Sequence, residues 1–199
     1  MQTLRERLLD EPIDPLRLRS ARVHDAEGRG RAGFALFQAV RFSGPIFWIT
    51  LAHDRDRLMP ISLPDGVAER LHLIEARSET DLLWAIEETL RAKSVGLVIA
   101  EPEKPMSLTA GKRLQLAAEA GRTTGLLLIR EGGGSNAAET RWKCDPMPGP
   151  VGSTRHRWAL NKNKKGTIGT HYVSWDGAMA AFHLAPPTGE RRQPEGLSR

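Results

Sequence analysis

The sequence has few of the features that mark secreted, metal-binding or membrane-spanning proteins. Cys144 is its single cysteine, so no internal disulfide can form, and the six histidines show no H-E-x-x-H or other ligand spacing. No apolar run approaches the roughly 18 residues needed to cross a bilayer. The segment Met1–Arg7 leads into no apolar stretch of the kind found in signal peptides. We therefore expect a cytoplasmic protein with no metal site and no membrane association.

A phosphate-binding loop is also missing, although the pattern is that of a nucleotide-binding domain. Between residues 46 and 129, apolar runs typical of strands alternate with amphipathic helical stretches, which predicts an α/β fold with a mainly parallel sheet flanked by helices. Ligands of such sheets bind at the carboxyl ends of the strands. Yet no G-x-x-x-x-G-K-[ST] motif occurs. We therefore expect no catalytic residue and no cofactor, with weak ATP binding as the alternative.

The predicted organisation has four parts. Residues 1–15 form an N-terminal arm, residues 16–145 an α/β core, residues 146–185 a basic antiparallel β-hairpin extension of the same domain, and residues 186–199 a disordered tail rich in polar residues. The predicted core strands are Leu16–His24 (poorly buried), Ile46–Leu51, Leu71–Ala76, Val95–Ala100 and Thr124–Ile129, and the predicted helices are Gly33–Phe42, Ser78–Arg91 and Ser107–Gly121.

Gly28, Gly30 and Gly33 match the G-x-G-x-x-G pattern of dinucleotide-binding loops and precede a predicted helix. That motif requires a strand leading directly into the first glycine. The preceding stretch, Leu16–Asp25, is charged and is predicted to end several residues earlier. A flexible turn is the favoured interpretation, and dinucleotide binding is the alternative.

Two further features resemble parts of a nucleotide site. Glu101 follows a buried strand, where an acid can position a metal-bound water in nucleoside triphosphatases, but acids also end strands simply because the chain meets water there. Lys112 follows Gly111, as in a phosphate loop, but Arg113 replaces the Ser or Thr that would hold magnesium. We favour a structural role for Glu101, and for Lys112 and Arg113 a solvated helix face that could contact DNA or a partner.

The positive charge is concentrated in the last third of the chain. Residues 1–140 contain 19 Lys and Arg against 20 Asp and Glu, whereas residues 141–199 contain 10 against 4. Such asymmetry favours a surface for phosphates or an acidic partner. The candidate contact residues in this region are Arg141, Lys143, Arg155, Arg157, Lys162, Lys164 and Lys165, the last three in a predicted hairpin tip at Asn161–Gly166.

The tryptophans allow two interpretations. Trp48 and Trp84 are expected in the core. Trp142, Trp158 and Trp175 lie in the basic β region, and the first two are interleaved with cationic residues. This combination suits single-stranded nucleic acid because bases stack on aromatic rings and phosphates pair with cations. Alternation along a strand would instead place each of these rings inside and its basic neighbours outside, and this is the favoured interpretation for any single one.

Several segments, in the same order across roughly residues 20–145, resemble the bacterial ImuA proteins. These segments are Gly33–Leu36, Gly44–Ile49, Asp81–Glu88, Leu108–Ala120, Leu126–Leu128 and Ala138–Trp142. The resemblance implies a RecA-like fold and an accessory, non-catalytic role in SOS-induced, error-prone translesion DNA synthesis. It also implies three partners: an ImuB-like inactive Y-family polymerase, RecA, and an error-prone replicative-type polymerase. A bacterial cytoplasmic protein that joins the nucleoid when active is expected. The alternatives are a RecA-like ATPase with a degenerate phosphate site and an enzyme that binds a dinucleotide through Gly28–Gly33.

Overall fold

Nine strands form one sheet in the order β3-β2-β4-β5-β1-β6-β7-β8-β9. The computed structural model describes residues 15–54, 58–59, 63–149, 153–176 and 181–184. Strands β1 to β6 pair in parallel, and β6 to β9 continue the sheet as an antiparallel meander. The strands are β1 Val23–Glu27, β2 Ile46–Leu51, β3 Leu71–Ala76, β4 Leu97–Ala100, β5 Thr124–Leu128, β6 Thr140–Met147, β7 Ser153–Asn163, β8 Gly169–Asp176 and β9 Ala181–Leu184. The predicted α/β class, with its antiparallel extension, is confirmed.

Three helices cover the sheet: α1 Arg31–Arg41, α2 Glu79–Arg91 and α3 Leu108–Gly121. The predicted N-caps are present, because Ser78 Oγ accepts from the Asp81 N–H at 3.2 Å and Ser107 Oγ accepts from the Ala110 N–H at 3.1 Å. No helix of the described residues is long and apolar enough to cross a membrane.

The sheet has a core on each face. On one face α1 packs through Phe34 and Phe37 against residues of β1, β2 and β4 to β9, including Trp142 and Trp158. On the other face α2 and α3 pack against β1 to β5, and none of the described residues of this second core comes from β6 to β9. The helices therefore cover both faces of the parallel part but only one face of the extension.

Strand β1 corrects one prediction. The strand does not lie at residues 16–24 with poor burial; it begins at Val23, is buried along its whole length, and ends at Glu27, directly before Gly28. The sequence did not indicate this strand because its side chains at positions 24, 25 and 27 are polar. In the structure each of these side chains makes a hydrogen bond or an ion pair. For example, His24 makes hydrogen bonds to the Thr140 hydroxyl at 2.7 Å and to the Arg19 carbonyl at 3.0 Å.

The extension begins inside the predicted core, because β6 runs from Thr140 to Met147 across the predicted boundary at residue 145. The hairpin connection lies further along the chain than the predicted Asn161–Gly166, since β7 continues to Asn163 and β8 begins at Gly169. Strand β9 was not predicted. Most of the predicted arm, residues 1–14, and the predicted tail, residues 186–199, lie outside the described residues.

Candidate functional site

The connection between β1 and α1 occupies the position of a phosphate loop but is only three residues long, Gly28 to Gly30. The Gly30 N–H donates to the carbonyl oxygen of Cys144 at 2.8 Å. A Cβ at Gly28, which has a φ of +91°, would overlap that same carbonyl oxygen, and one at Gly33 would lie 3.1 Å from the His156 ring. Close packing against the extension therefore requires glycine at position 28 and leaves little space for a Cβ at Gly30, 3.2 Å from the same oxygen, and at Gly33.

A pocket of about 220 Å³ lies beside this connection, over β2 and the edge strand β3 and next to the end of β4. Arg29 and Arg31 line one side, at the start of α1, and Trp48 and Glu101 line another. The Trp48 indole N–H donates to Glu101 Oε1 at 2.7 Å, and the Glu101 backbone N–H donates to the Ile49 carbonyl at 3.0 Å. The carboxylate of Glu101 thus accepts a hydrogen bond from Trp48 at the wall of the pocket, and its structural role stays a prediction.

Arg141 is largely withdrawn from the surface, with 19% of its side chain exposed. Its guanidinium donates to Asp25 Oδ2 at 3.0 Å and to the Ser135 carbonyl at 3.1 Å, and the Asp25 side chain is 1% exposed. A Cβ on Gly134 would overlap both charged groups, so the segment between β5 and β6 closes over this ion pair. Asp25, which the sequence analysis did not single out, is therefore a central structural group, and Arg141 is its counter-ion.

Burial governs the titration of this region. Desolvation raises the pKa of Asp25 to about 6, although the hydrogen bond and positive charge of Arg141 act in the opposite direction. Burial lowers the pKa of the neighbouring His24 to about 4. Both side chains are fully buried, so we expect these pKa shifts to affect the pH dependence of folding stability.

Three predicted contact residues come together on the uncovered face of the extension. Trp142 and Trp158 point into the core, at 1% and 0% exposure, so Lys143, Arg155 and Arg157 project from the opposite face. Lys143 pairs with Glu131, and Arg157 lies 3.4 Å from Asp145.

The lysines of the hairpin lie at the other end of β7. Lys162 Nζ donates to the Asn136 carbonyl at 2.7 Å, and Lys164 Nζ donates to the Ala137 carbonyl at 2.6 Å. These two side chains fasten the hairpin to the segment before β6. Lys165 is exposed at the turn.

The helix residues lie apart from this face. Lys112 and Arg113 are exposed on α3, and Arg113 pairs with Glu87 of α2. Trp84 of α2 was expected in the core but is 66% exposed, beside a groove of about 240 Å³ between the two helices. Leu116 of α3 is also 66% exposed but does not line this groove.

The tryptophans of the extension resolve the two interpretations given above. Trp142 and Trp158 are core residues that contact Phe34, and the partly buried Trp175 packs on Phe182 with ring centroids 4.6 Å apart. Among the described residues, alternation along β8 places Tyr172 on the uncovered face, because its neighbour Val173 is buried in the core. Its position could have been found from the alternation of β8. Within the described residues, no group of three His, Cys, Asp or Glu side chains could hold a metal ion.

Comparison with known proteins gives one relationship. No family model matches the chain. The proteins named ImuA from two strains of Caulobacter vibrioides are each 34% identical to it over 137 residues, covering 60% of this chain. The predicted resemblance to the ImuA family is confirmed. The match covers 55% of each ImuA protein, so the chain spans little more than half the length of these relatives.

Proposed function

We propose that this ImuA-related chain is an accessory protein, without catalytic activity, in SOS-induced error-prone translesion DNA synthesis. The relationship to ImuA supports the pathway. The β1–α1 connection supports the absence of catalysis, and it is the observation that carries the proposal. It joins strand to helix in three residues, contains no lysine, and is filled by the carbonyl oxygen of Cys144.

A phosphate cradle needs several consecutive backbone N–H groups directed at the ligand. In this connection the Gly30 N–H is already bonded to Cys144, and the Arg31 N–H donates to the Gly28 carbonyl at 3.3 Å. Neither amide is available to a triphosphate. Without a phosphate-binding loop, this fold can still act by binding other proteins through its exposed surfaces.

The proposed partners are an ImuB-like inactive Y-family polymerase, RecA, and an error-prone replicative-type polymerase, in the bacterial cytoplasm and at the nucleoid. The groove between α2 and α3 is suited to a protein contact, because the exposed Trp84 lines it together with Leu83, Leu114 and the cation Arg113.

Co-purification tests the role directly. The full chain is expected to retain an ImuB-like protein and RecA from the bacterium that encodes it, and Trp84→Ala is expected to reduce retention of one of them. Lys93→Ala, an exposed change on the loop after α2, is the matched control. If neither protein is retained by the unmodified chain, the adaptor role is wrong.

An ATPase with a degenerate site is the second candidate, favoured by the pocket beside Arg29, Arg31 and Glu101. Calorimetry with ATP and magnesium distinguishes an ATPase from an accessory protein without catalytic activity. We expect no heat of binding; binding that is lost in Arg31→Ala, or turnover that is lost in Glu101→Gln, would support the ATPase instead. A dinucleotide enzyme would require a thermal shift with NAD or NADP that Gly30→Val abolishes.

A further inference from the structure

The antiparallel extension has one sheet face that no described helix covers. We call it the open face and define it by Lys143 of β6, Arg155 and Arg157 of β7, Tyr172 of β8 and His183 of β9. The second core, under α2 and α3, includes no described residue of these strands. The opposite face carries Trp142, Trp158 and Phe182 and is buried under α1.

We infer that the open face binds single-stranded nucleic acid. The inference rests on the proposed function, since it assigns a ligand class to an accessory protein of DNA synthesis, but it is tested separately. Three cations of residues 140–176, Lys143, Arg155 and Arg157, lie on the open face, and three more, Lys162, Lys164 and Lys165, lie at the hairpin end of β7. The acids of this region are Asp145 and Asp176, and the seventh cation, Arg141, pairs with Asp25 of β1. A polyanion is the ligand that such a charge balance favours.

The strand register arranges the side chains in rows across the face. Arg157 lies directly opposite Tyr172 on the neighbouring strand, and Arg155 lies opposite Ser174, which in turn pairs with His183. One row therefore combines a guanidinium with a phenol ring, and the next combines a guanidinium with an imidazole. Cations beside planar rings suit a strand whose phosphates pair and whose bases stack.

The acidic residues near the open face do not prevent it from binding phosphates. Alternation along β8 also places Asp176 on this face, and Asp176 and Arg155 each interact with a neighbour. Asp145 lies opposite Arg157 with a separation of 3.4 Å between charged atoms, and Lys143 pairs with Glu131. Both are ion pairs of partly exposed side chains, which contribute about 0–1 kcal/mol, so a phosphate can replace the carboxylate at little cost.

The shape of the face favours a single strand over a duplex. Four strands spaced about 4.8 Å apart present a surface about 14 Å wide between the outer strand axes, before side chains are added. The major groove of B-DNA is about 12 Å wide and admits a helix or a two-stranded ribbon. The four-stranded face is too wide to enter it, whereas a single strand can lie across it.

Fluorescence anisotropy with a labelled oligothymidine of about 20 nucleotides tests the inference on the full chain. In the variant with Lys143, Arg155 and Arg157 all changed to Ala, we expect affinity at about 0.1 M salt to fall at least about tenfold. The slope of log affinity against log salt should flatten by about 2, since each phosphate contact contributes about 0.7 on single strands. Tyr172→Ala should weaken binding several-fold at an unchanged slope, and Tyr172→Phe should preserve it.

The matched control changes Arg77, Lys93 and Lys104 to Ala, which removes the same charge from exposed positions elsewhere. Circular dichroism and urea unfolding verify that both triple variants fold. The inference is overturned if the unmodified chain does not bind the oligonucleotide, if both triple variants lose affinity equally, or if a duplex of the same length binds more tightly. None of these results affects the co-purification test of the accessory role.

Discussion

The carboxylate of Asp25 and the guanidinium of Arg141 form a buried ion pair, 3.0 Å apart, that joins the central strand β1 to the neighbouring strand β6. The pair lies under Gly134 and Ser135, in the segment that crosses between β5 and β6. Of the cations predicted to contact DNA, Arg141 thus has a structural position, and changes to it test the fold rather than the ligand.

Arg141→Ala is expected to lower the free energy of unfolding by about 3–5 kcal/mol, because it leaves a buried carboxylate without a counter-ion. Arg157→Ala removes the partly exposed pair with Asp145 and is expected to cost less than about 1 kcal/mol. Urea unfolding of the two variants measures the difference. Equal effects would show that the Asp25–Arg141 pair is not buried as described.

The free energy of unfolding should depend on pH through His24 and Asp25, whose contributions change with pH in opposite directions. The pKa of His24 is lowered to about 4 by burial, so its contribution to stability is lost as pH falls from about 6.5 to about 4. The pKa of Asp25 is raised to about 6, so its contribution is present at low pH and is lost as pH rises from about 4 through about 6.

Asp25→Asn removes the second contribution and is therefore expected to make the unfolding free energy rise more steeply with pH than in the unmodified protein. The difference should accumulate to about 3 kcal/mol at most between about pH 4 and pH 6. His24→Gln should change the slope in the reverse direction. Urea unfolding across this range measures both, and curves parallel to that of the unmodified protein would contradict the assignment.

The glycines after β1 are expected to respond to substitution in order of their packing. Gly28→Ala places a Cβ against the Cys144 carbonyl at a φ of +91° and should destabilise the fold by about 2 kcal/mol or more. Gly33→Ala requires the His156 ring to move by only a few tenths of an ångström and should cost less. Thermal unfolding ranks the two; the reverse order would contradict the packing described at Gly28 and Gly33.

Two tryptophans should differ sharply in their contribution to stability. Trp158→Ala removes a fully buried ring that contacts Phe34 and Phe37, and it is expected to cost about 3–5 kcal/mol. Trp84→Ala changes an exposed side chain and should stay within about 0.5 kcal/mol. Chemical unfolding monitored by far-ultraviolet circular dichroism provides the comparison, and a large loss in Trp84→Ala would place that ring in the core.

Periodicity was sufficient to predict the elements that bury apolar side chains. Strands β2 to β5 and helices α1 to α3 lie within a few residues of their predicted positions, because their apolar residues repeat at intervals typical of buried strands and amphipathic helices. Strand β1 could not be found this way, because His24, Asp25 and Glu27 are polar and their partners lie about a hundred residues away in sequence.

For the predicted contact residues, periodicity again showed which side of a strand each residue faces but not what lies opposite it. Alternation along β6 and β7 correctly favoured inward Trp142 and Trp158, which places Lys143 and Arg157 outside. The sequence could not show that Arg141 faces a buried acid, because that depends on which strands become neighbours. The exposure of Trp84 was likewise hidden, since an aromatic residue on an amphipathic helix normally indicates core.

The central claim is that the chain acts in induced mutagenesis through its surfaces and not through nucleotide chemistry. The most direct test is the frequency of ultraviolet-induced mutation in a strain from which the gene has been deleted. The account predicts a reduced frequency that is restored by the unmodified gene and equally by the Glu101→Gln variant, in which the amide oxygen can still accept from Trp48. An unchanged frequency in the deletion strain, or failure of Glu101→Gln to restore it despite normal protein levels, would contradict the claim.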